Sequence, residues 1–291
     1  RKRFDIFTLY FFCLMNKRRF RTWICLSIIL IAGSIFPLQT AAQCGAVNTA
    51  FKSGETLEYK LYFNWKFIWV NAGSATLTIR QSKYQGKNVY RTHLITRTSQ
   101  RLDRFFRMRD TLVSYNQMDL VPLYYSKRAF EGKTYRRNEV WYRYSGGKVH
   151  VKMAYQRNQL PVEYEESSSA YCMFDMLSMM LRARSFDASD YKVGKRIQFF
   201  MPDGRKVLNE TLIYRGKKTF EMENTKIKYR CLVFSFVEKE KGKEKEIVKF
   251  YITDDKNHLP VRLDMNLNFG TAKAYLTRAS NLRNPQTSII H

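Results

Sequence analysis

Residues 57–63, LEYKLYF, decide the fold class because apolar and polar side chains alternate along them. Successive side chains of an extended chain point to opposite faces of a sheet. The apolar side chains from Leu57 to Phe63 therefore share one face, while Glu58 and Lys60 share the other. One buried and one wetter face are typical of an antiparallel sheet.

The same alternation recurs along the chain, at residues 75–79, 149–155, 227–233 and 248–252. Glycine-containing turns, for example at Gly86 and Gly204, separate the strand-like runs. We therefore predict a mainly β (α+β) fold. It is a strongly curved antiparallel sheet, or a partly open β-barrel, of about a dozen strands with one amphipathic helix packed on it.

Two segments depart from the alternation. Residues 99–107 predict a short helix or helical turn with Leu102, Phe105 and Phe106 on one face. Residues 173–181 predict the principal helix, because their apolar positions are spaced i, i+3, i+4, i+7 and i+8: Met173, Met176, Leu177, Met180 and Leu181. The opposite face would carry Asp175 and Ser178. The apolar face has two interpretations, a plug that fills the core or a lid over a ligand cavity.

The composition is that of a folded protein, with 291 residues, 45% hydrophobic and 15% aromatic residues and a formal net charge of +26. Such a chain can bury enough apolar surface to fold, which excludes wholesale disorder. The sequence contains no nucleophile elbow, zinc-protease motif or glycine-rich phosphate loop. We therefore predict no catalytic residue, no cofactor and no metal site.

The N-terminal segment predicts export. A basic stretch, residues 16–21, precedes an apolar stretch, residues 23–36, which is shorter than the about 20 residues that span a bilayer. We predict a leader and signal peptide over residues 1–42, cleaved between Ala42 and Gln43. It is followed by one domain over residues 43–280 and a loose tail over residues 281–291. Whether residues 1–14 are translated stays open.

The predicted location is the periplasm or the periplasmic face of the outer membrane. Lipidation at Cys44 is an alternative, although Gln43 stands where a lipoprotein signal has a small residue. An oxidising compartment permits one disulfide among Cys44, Cys172 and Cys231, and the sequence leaves the pairing open.

Four stretches of the chain together carry a resemblance: FKSGETLEYKLYFNWKFIWVNAGSATL (51–77), RDTLVSYNQMDLVPLYY (109–125), DMLSMMLRAR (175–184) and TDDKNHLPVRLDMNLNFGTAKAYL (253–276). They resemble the exported DUF3108 family of Gram-negative bacteria, in its Bacteroidetes form. The resemblance implies a single β-rich domain and an exported protein, and it implies no catalytic residue because the family has no known function. The expected architecture is also similar to LolA-like lipoprotein carriers, by analogy of fold.

If the protein is exported, its net positive charge predicts anionic lipid or envelope polymers as partners, because an exported protein meets these rather than nucleic acid. Our first hypothesis is a periplasmic binding or carrier module for an apolar or lipid-like ligand with an anionic head group. A basic rim would contact that group: Arg97, Arg101, Arg104, Arg107 and Arg109. The alternative is a structural or interaction protein of envelope assembly, with a filled core and no ligand. Either could contact an anionic membrane surface or an envelope protein.

Overall fold

The computed structural model of the protein describes residues 44–65, 68–222, 225, 227–240, 242–267 and 270–290. The predicted leader and signal peptide, with its cleavage site between Ala42 and Gln43, lies outside the described residues.

Strands dominate the described part of the chain. The first eight are β1 (Glu55–Trp65), β2 (Ile68–Tyr84), β3 (Lys87–Thr98), β4 (Met108–Gln117), β5 (Pro122–Glu131), β6 (Thr134–Ser145), β7 (Lys148–Arg157) and β8 (Glu163–Ser169). The remaining strands are β9 (Arg196–Asp203), β10 (Lys206–Glu221), β11 (Lys228–Glu240), β12 (Lys243–Thr253), β13 (Pro260–Leu267), β14 (Gly270–Ser280) and β15 (Ile289–Ile290). Two helices are described, α1 (Gln100–Asp103) and α2 (Met176–Arg184).

All the strands belong to one antiparallel, curved sheet that does not close. Its order is β8-β7-β6-β5-β4-β3-β2-β1-β14-β13-β12-β11-β10-β9, with β15 added beside β11. The predicted fold class is therefore confirmed, with fifteen strands where the alternation predicted about a dozen. Two of the fifteen strands have no alternating pattern in the sequence: β8, an exposed edge, and β15, which has two residues.

The two outermost strands, β8 and β9, form no ladder with each other among the described residues, and β9 contacts other segments instead. Residue Met173 makes an isolated bridge with Phe200 of β9, and the Phe174 amide donates to the Phe200 carbonyl at 2.8 Å. Elsewhere, Asn138 Nδ2 of β6 donates to Asp203 Oδ1 of β9 at 2.8 Å. The segment before α2 thus partly bridges the gap between the sheet edges.

The C-terminal segment is packed, which corrects the prediction of a loose tail for its described residues, 281–290. The Arg283 guanidinium donates to the Asn48 carbonyl at 2.7 Å, and Ser288 is fully buried. Strand β15 also pairs with β11. Hydrogen bonds from side chains to backbone groups hold this tail. Such bonds produce no periodic apolar pattern, so the sequence gives no sign of them.

The sheet has two distinct ends. We call the end with the β4–β5 turn, the β6–β7 turn and α2 the helix end. The opposite end, with α1, the β5–β6 turn and the β7–β8 connection, is the tip end. No helix in the described part of the chain is long and apolar enough to cross a membrane.

Candidate functional site

Helix α2 begins at a buried polar network that fastens it to the sheet. Asp175 is its N-cap, and its Oδ1 accepts the Leu177 and Ser178 amides at 3.1 and 2.9 Å. Asn116 Nδ2 of β4 donates to Ser178 Oγ at 2.7 Å, and the Tyr142 hydroxyl of β6 donates to Asp175 Oδ2 at 3.3 Å. Burial raises the pKa of Asp175 to about 6 despite these bonds.

The last residue of α2 is held by a buried ion pair. The Arg184 Nη1 and Nη2 atoms contact Glu55 Oε1 and Oε2 at 2.5 and 3.1 Å, and both side chains are almost fully buried. Arg184 Nε and Nη2 also donate to the Asn257 carbonyl at 3.2 and 3.0 Å. Because a buried charge is costly unless it is paired and hydrogen-bonded, this bidentate geometry fixes the helix over the start of β1.

The predicted apolar face of α2 is only partly the buried face. Met173, Leu177 and Leu181 are buried in the core, whereas Met180 is half-buried and Met176 is 47% exposed. Asp175 and Ser178, expected on the face opposite the apolar stripe, are both fully buried, and both are hydrogen-bonded to the sheet. Contact of the five predicted residues with a ligand stays a prediction.

A disulfide joins the N-terminal segment to the segment before α2. It links Cys44 to Cys172, and Cys231 is a buried free thiol. Burial raises the pKa of Cys231 to about 12, so this thiol is not poised to react. The thiol of Cys44 is used by the disulfide, which argues against the alternative of acylation at that sulfur.

The predicted basic rim lies at the tip end but is not uniform. Arg97, Arg101, Arg104 and Arg107 are exposed. Arg109 instead forms an ion pair with Asp103 of α1, and its Nη1 donates to Thr98 Oγ1 at 3.0 Å. The hydrogen bond from Arg109 holds the pKa of Asp103 below its usual value. Arg109 therefore ties α1 to β3, and four arginines are left to face solvent.

The connection that contains α1 presents aromatic side chains to solvent. The helix is shorter than residues 99–107, and beyond it Phe105 is 85% exposed and Phe106 is also exposed. The Ser99 amide donates to the Ala72 carbonyl at 2.9 Å, which places this connection beside the outer part of β2. Gly73 permits the approach, because a Cβ there would lie 2.0 Å from the Arg97 carbonyl oxygen.

The start of β2 adds two further exposed apolar residues at the tip end, Ile68 at 65% and Trp69. The Lys273 ammonium of β14 lies 4.1 Å from the centroid of the Trp69 ring. We call Ile68, Trp69, Phe105 and Phe106 the apolar tips. The sequence analysis missed them as a surface, although the run FIWV at residues 67–70 breaks the strand alternation.

The inward side of the sheet near the tip end holds acceptors without partners. Of the six buried side-chain oxygens that have no hydrogen-bond partner within the described residues, three lie here: Asp110 Oδ1, Asn138 Oδ1 and Glu210 Oε2. Burial, with a smaller effect of Glu131, raises the pKa of Asp110 to about 6. Burial, with Glu238 and Asp203, raises the pKa of Glu210 to about 7. No group of three or more His, Cys, Asp or Glu side chains in the described ranges is arranged to hold a metal ion.

A depression of about 720 Å³ opens to solvent at the tip end, between the β5–β6 turn and the β7–β8 connection. We call it the tip depression, and its lining combines cations, amides and apolar groups: Phe130, Lys133, Tyr135, Arg157, Asn158, Gln159 and Leu160. It adjoins the α1 connection, because the Arg107 guanidinium lies 5.5 Å from the centroid of the Phe130 ring.

Comparison with known proteins places the chain in a family. The sequence model of DUF3108, a family of proteins of unknown function, matches residues 58–277. The chain belongs to the DUF3108 family. This confirms the family resemblance, whereas the Bacteroidetes form and the LolA-like similarity stay predictions. No curated protein matches this DUF3108 chain.

Two solved structures are similar to this DUF3108 protein. One is a β-barrel-like protein of the domain of unknown function DUF1849 from Brucella abortus, with a TM-score of 0.52 and 11% identity, covering 81% of this chain and 100% of that one. The other is a protein with a YmcC-like fold from Bacteroides fragilis, with a TM-score of 0.32 and 7% identity, covering 81% and 99%. At this identity the first similarity supports the fold alone.

Proposed function

We propose that this DUF3108 protein is an exported envelope protein that docks on an anionic membrane surface through the tip end of its sheet. The observation that carries the proposal is the exposure, at the same end of the sheet, of the apolar tips and of Arg101, Arg104 and Arg107. Aromatic side chains favour the membrane–water interface, and each cation near an anionic bilayer contributes about 1 kcal/mol.

Export is supported by two independent features. The sequence carries a basic and then an apolar segment before Gln43, and the domain contains the Cys44–Cys172 disulfide. Disulfides persist in oxidising compartments such as the periplasm. Intact mass of the protein recovered from the periplasm should give a chain that begins at Gln43 without an acyl group. A diacylglyceryl mass on Cys44 would contradict cleavage between Ala42 and Gln43 and would favour the lipoprotein alternative.

The helix end supports an interaction role over transport of an enclosed ligand. Its interior is occupied by α2, whose Leu177 and Leu181 side chains are fully buried against the sheet. We therefore interpret α2 as a plug. A surface function then needs only the exposed groups of the tip end.

A carrier role is the second candidate, and the unpartnered acceptors near the tip end favour it. Asp110, Asn138 and Glu210 would accept bonds from a ligand with N–H or O–H donors. They would repel the anionic head group of our first hypothesis, which would have to stay at the arginines outside. Native mass spectrometry of protein purified from its own envelope tests this role, and a co-purified small molecule is the expected result. Protein that carries none would reject it.

Docking is tested by co-sedimentation with vesicles of phosphatidylcholine alone or mixed with phosphatidylglycerol. The wild type should bind the anionic vesicles at low salt and lose binding as salt rises, because exposed charges are then screened. The Ile68→Ser/Phe105→Ser variant should bind at least tenfold more weakly: a tenfold loss is about 1.4 kcal/mol, and the two deleted side chains are worth about 1.5–3 kcal/mol each when fully buried.

The matched control is Val193→Ser, which removes an apolar side chain that is 74% exposed just before β9, at the helix end. We expect this control to bind like the wild type. Equal binding by the Ile68→Ser/Phe105→Ser variant and the wild type would reject docking through the tip end.

A further inference from the structure

The tip depression has a fixed floor. The Asn158 amide donates to the Tyr135 carbonyl and the Tyr135 amide donates to Asn158 Oδ1, both at 2.8 Å. Gln156 Nε2 donates to the Leu160 carbonyl at 3.1 Å. Asn158 adopts a φ of 53°, a conformation that asparagine tolerates better than most residues. These bonds hold the β7–β8 connection against β6, so the depression is a built feature of the fold.

The charge of the lining is positive and uncompensated. Lys133 and Arg157 are exposed, and neither forms an ion pair with a carboxylate of the described residues. The nearby Glu131 carboxylate is already paired with Arg136. A planar guanidinium next to a mobile ammonium is suited to the oxygens of a phosphate, which the guanidinium can bind through two parallel hydrogen bonds.

The rest of the lining consists of the amides of Asn158 and Gln159 and of three apolar side chains, and these apolar side chains restrict the class of ligand. Phe130 and Tyr135 contribute aromatic rings, and Leu160 is 59% exposed at the edge of the depression. A free inorganic anion would use the two cations and leave these groups in water. An amphiphile would use both, because its apolar part would cover Leu160 and the rings.

We propose that the tip depression binds the phosphate head group of a single anionic lipid, with Lys133 and Arg157 as its ligands. This inference rests on the proposed function, since it gives the docked protein a specific lipid contact. The position agrees with docking, because Arg107 joins the depression to the connection that carries Phe105. The apolar tips would insert in the interface while the depression holds one head group.

The experiment titrates the protein with short-chain lipids below their micellar concentration and follows amide chemical shifts. Dihexanoyl phosphatidic acid is the probe, dihexanoyl phosphatidylcholine is the zwitterionic comparison, and inorganic phosphate distinguishes a free anion from a lipid head group. We expect saturable shifts at residues 130–135 and 157–160 with the phosphatidic acid. Binding should be at least tenfold weaker for the other two probes.

The Lys133→Gln/Arg157→Gln variant should lose at least tenfold in affinity for the phosphatidic acid. The matched control is Arg143→Gln/Lys148→Gln, which removes two exposed cations at the β6–β7 turn of the helix end. A thermal melt verifies that both variants fold. Unchanged affinity of the first variant, an equal loss in the control, or equal binding of inorganic phosphate would each overturn the proposal.

Vesicle binding and short-lipid binding by the wild type, measured side by side, distinguish a failure of this inference from a failure of the proposed function. Vesicle docking relies on the apolar tips, so the wild type should still bind anionic vesicles if the depression proposal alone fails. Conversely, saturable binding of the short lipid by a wild type that ignores anionic vesicles would reject docking and leave the depression as a lipid site.

Discussion

The two ends of the sheet differ in how far their buried ionisable side chains are satisfied within the described residues. At the helix end, Asp175, Ser178 and Arg184 are buried and each is hydrogen-bonded to a neighbouring element. At the tip end, aromatic rings and cations face solvent, and the buried carboxyls of Asp110 and Glu210 each keep an unpartnered oxygen. Stability is therefore concentrated at one end, and groups available for binding are concentrated at the other.

The largest expected effect comes from breaking the buried ion pair of the helix end. Replacing Arg184 by methionine leaves Glu55 buried without its partner, which should lower the free energy of unfolding by about 3–5 kcal/mol. Arg104→Met, an exposed arginine of the tip end, should change it by less than about 0.5 kcal/mol. Chemical denaturation of both variants measures the difference. Similar losses of unfolding free energy in the two variants would contradict the proposed difference between the two ends.

The next effect tests whether α2 is a plug. Leu177→Ala should cost about 2–5 kcal/mol because it opens a cavity in packed core. Met176→Ala, one position earlier but at a side chain that is 47% exposed, should cost less than about 1 kcal/mol. The same denaturation measurement applies. A small loss at Leu177 together with uptake of a lipid-like fluorescent probe would favour the lid interpretation instead.

A smaller effect is expected at the tip end, with a size that depends on pH. The pKa of Glu210 is raised to about 7, so the folded state binds more protons than the unfolded state between about pH 4 and 7. Stability from this group therefore falls as pH rises through that window.

Glu210→Gln should accordingly raise the free energy of unfolding by roughly 2 kcal/mol at pH 8 and change it little at pH 4. Denaturation curves of wild type and variant at the two pH values test this. A variant that is destabilised equally at both pH values would show that the Glu210 carboxylate is satisfied within the fold.

The sequence predicted those parts of the fold that depend on local pattern. Alternation from Leu57 to Phe63 identifies β1 because one face of the sheet is buried, and the spacing of apolar residues over 173–181 identifies α2. The burial of the Ser178 side chain could not be predicted from the sequence. Its hydrogen-bond partner Asn116 is 62 residues away in the sequence, and only the folded structure brings the two side chains together.

The binding surface was predicted only in part, because some of its features are local in sequence and others depend on the fold. The arginines from Arg97 to Arg109 are close in sequence, so their clustering could be anticipated. The pairing of Arg109 with Asp103 and the meeting of Lys133 with Arg157 in one depression both depend on strand register. The disulfide partner of Cys44 also depends on tertiary structure, since the two cysteines are separated by 128 residues.

The central claim is that the tip end, and not the helix end, contacts the membrane. Hydrogen–deuterium exchange of the protein with and without phosphatidylglycerol-containing vesicles tests it most directly, because it reports protection segment by segment. We predict slower exchange at residues 99–107 on the vesicles and unchanged exchange at residues 175–184. Protection confined to residues 175–184, or bound protein with no protection at residues 99–107, would contradict the account.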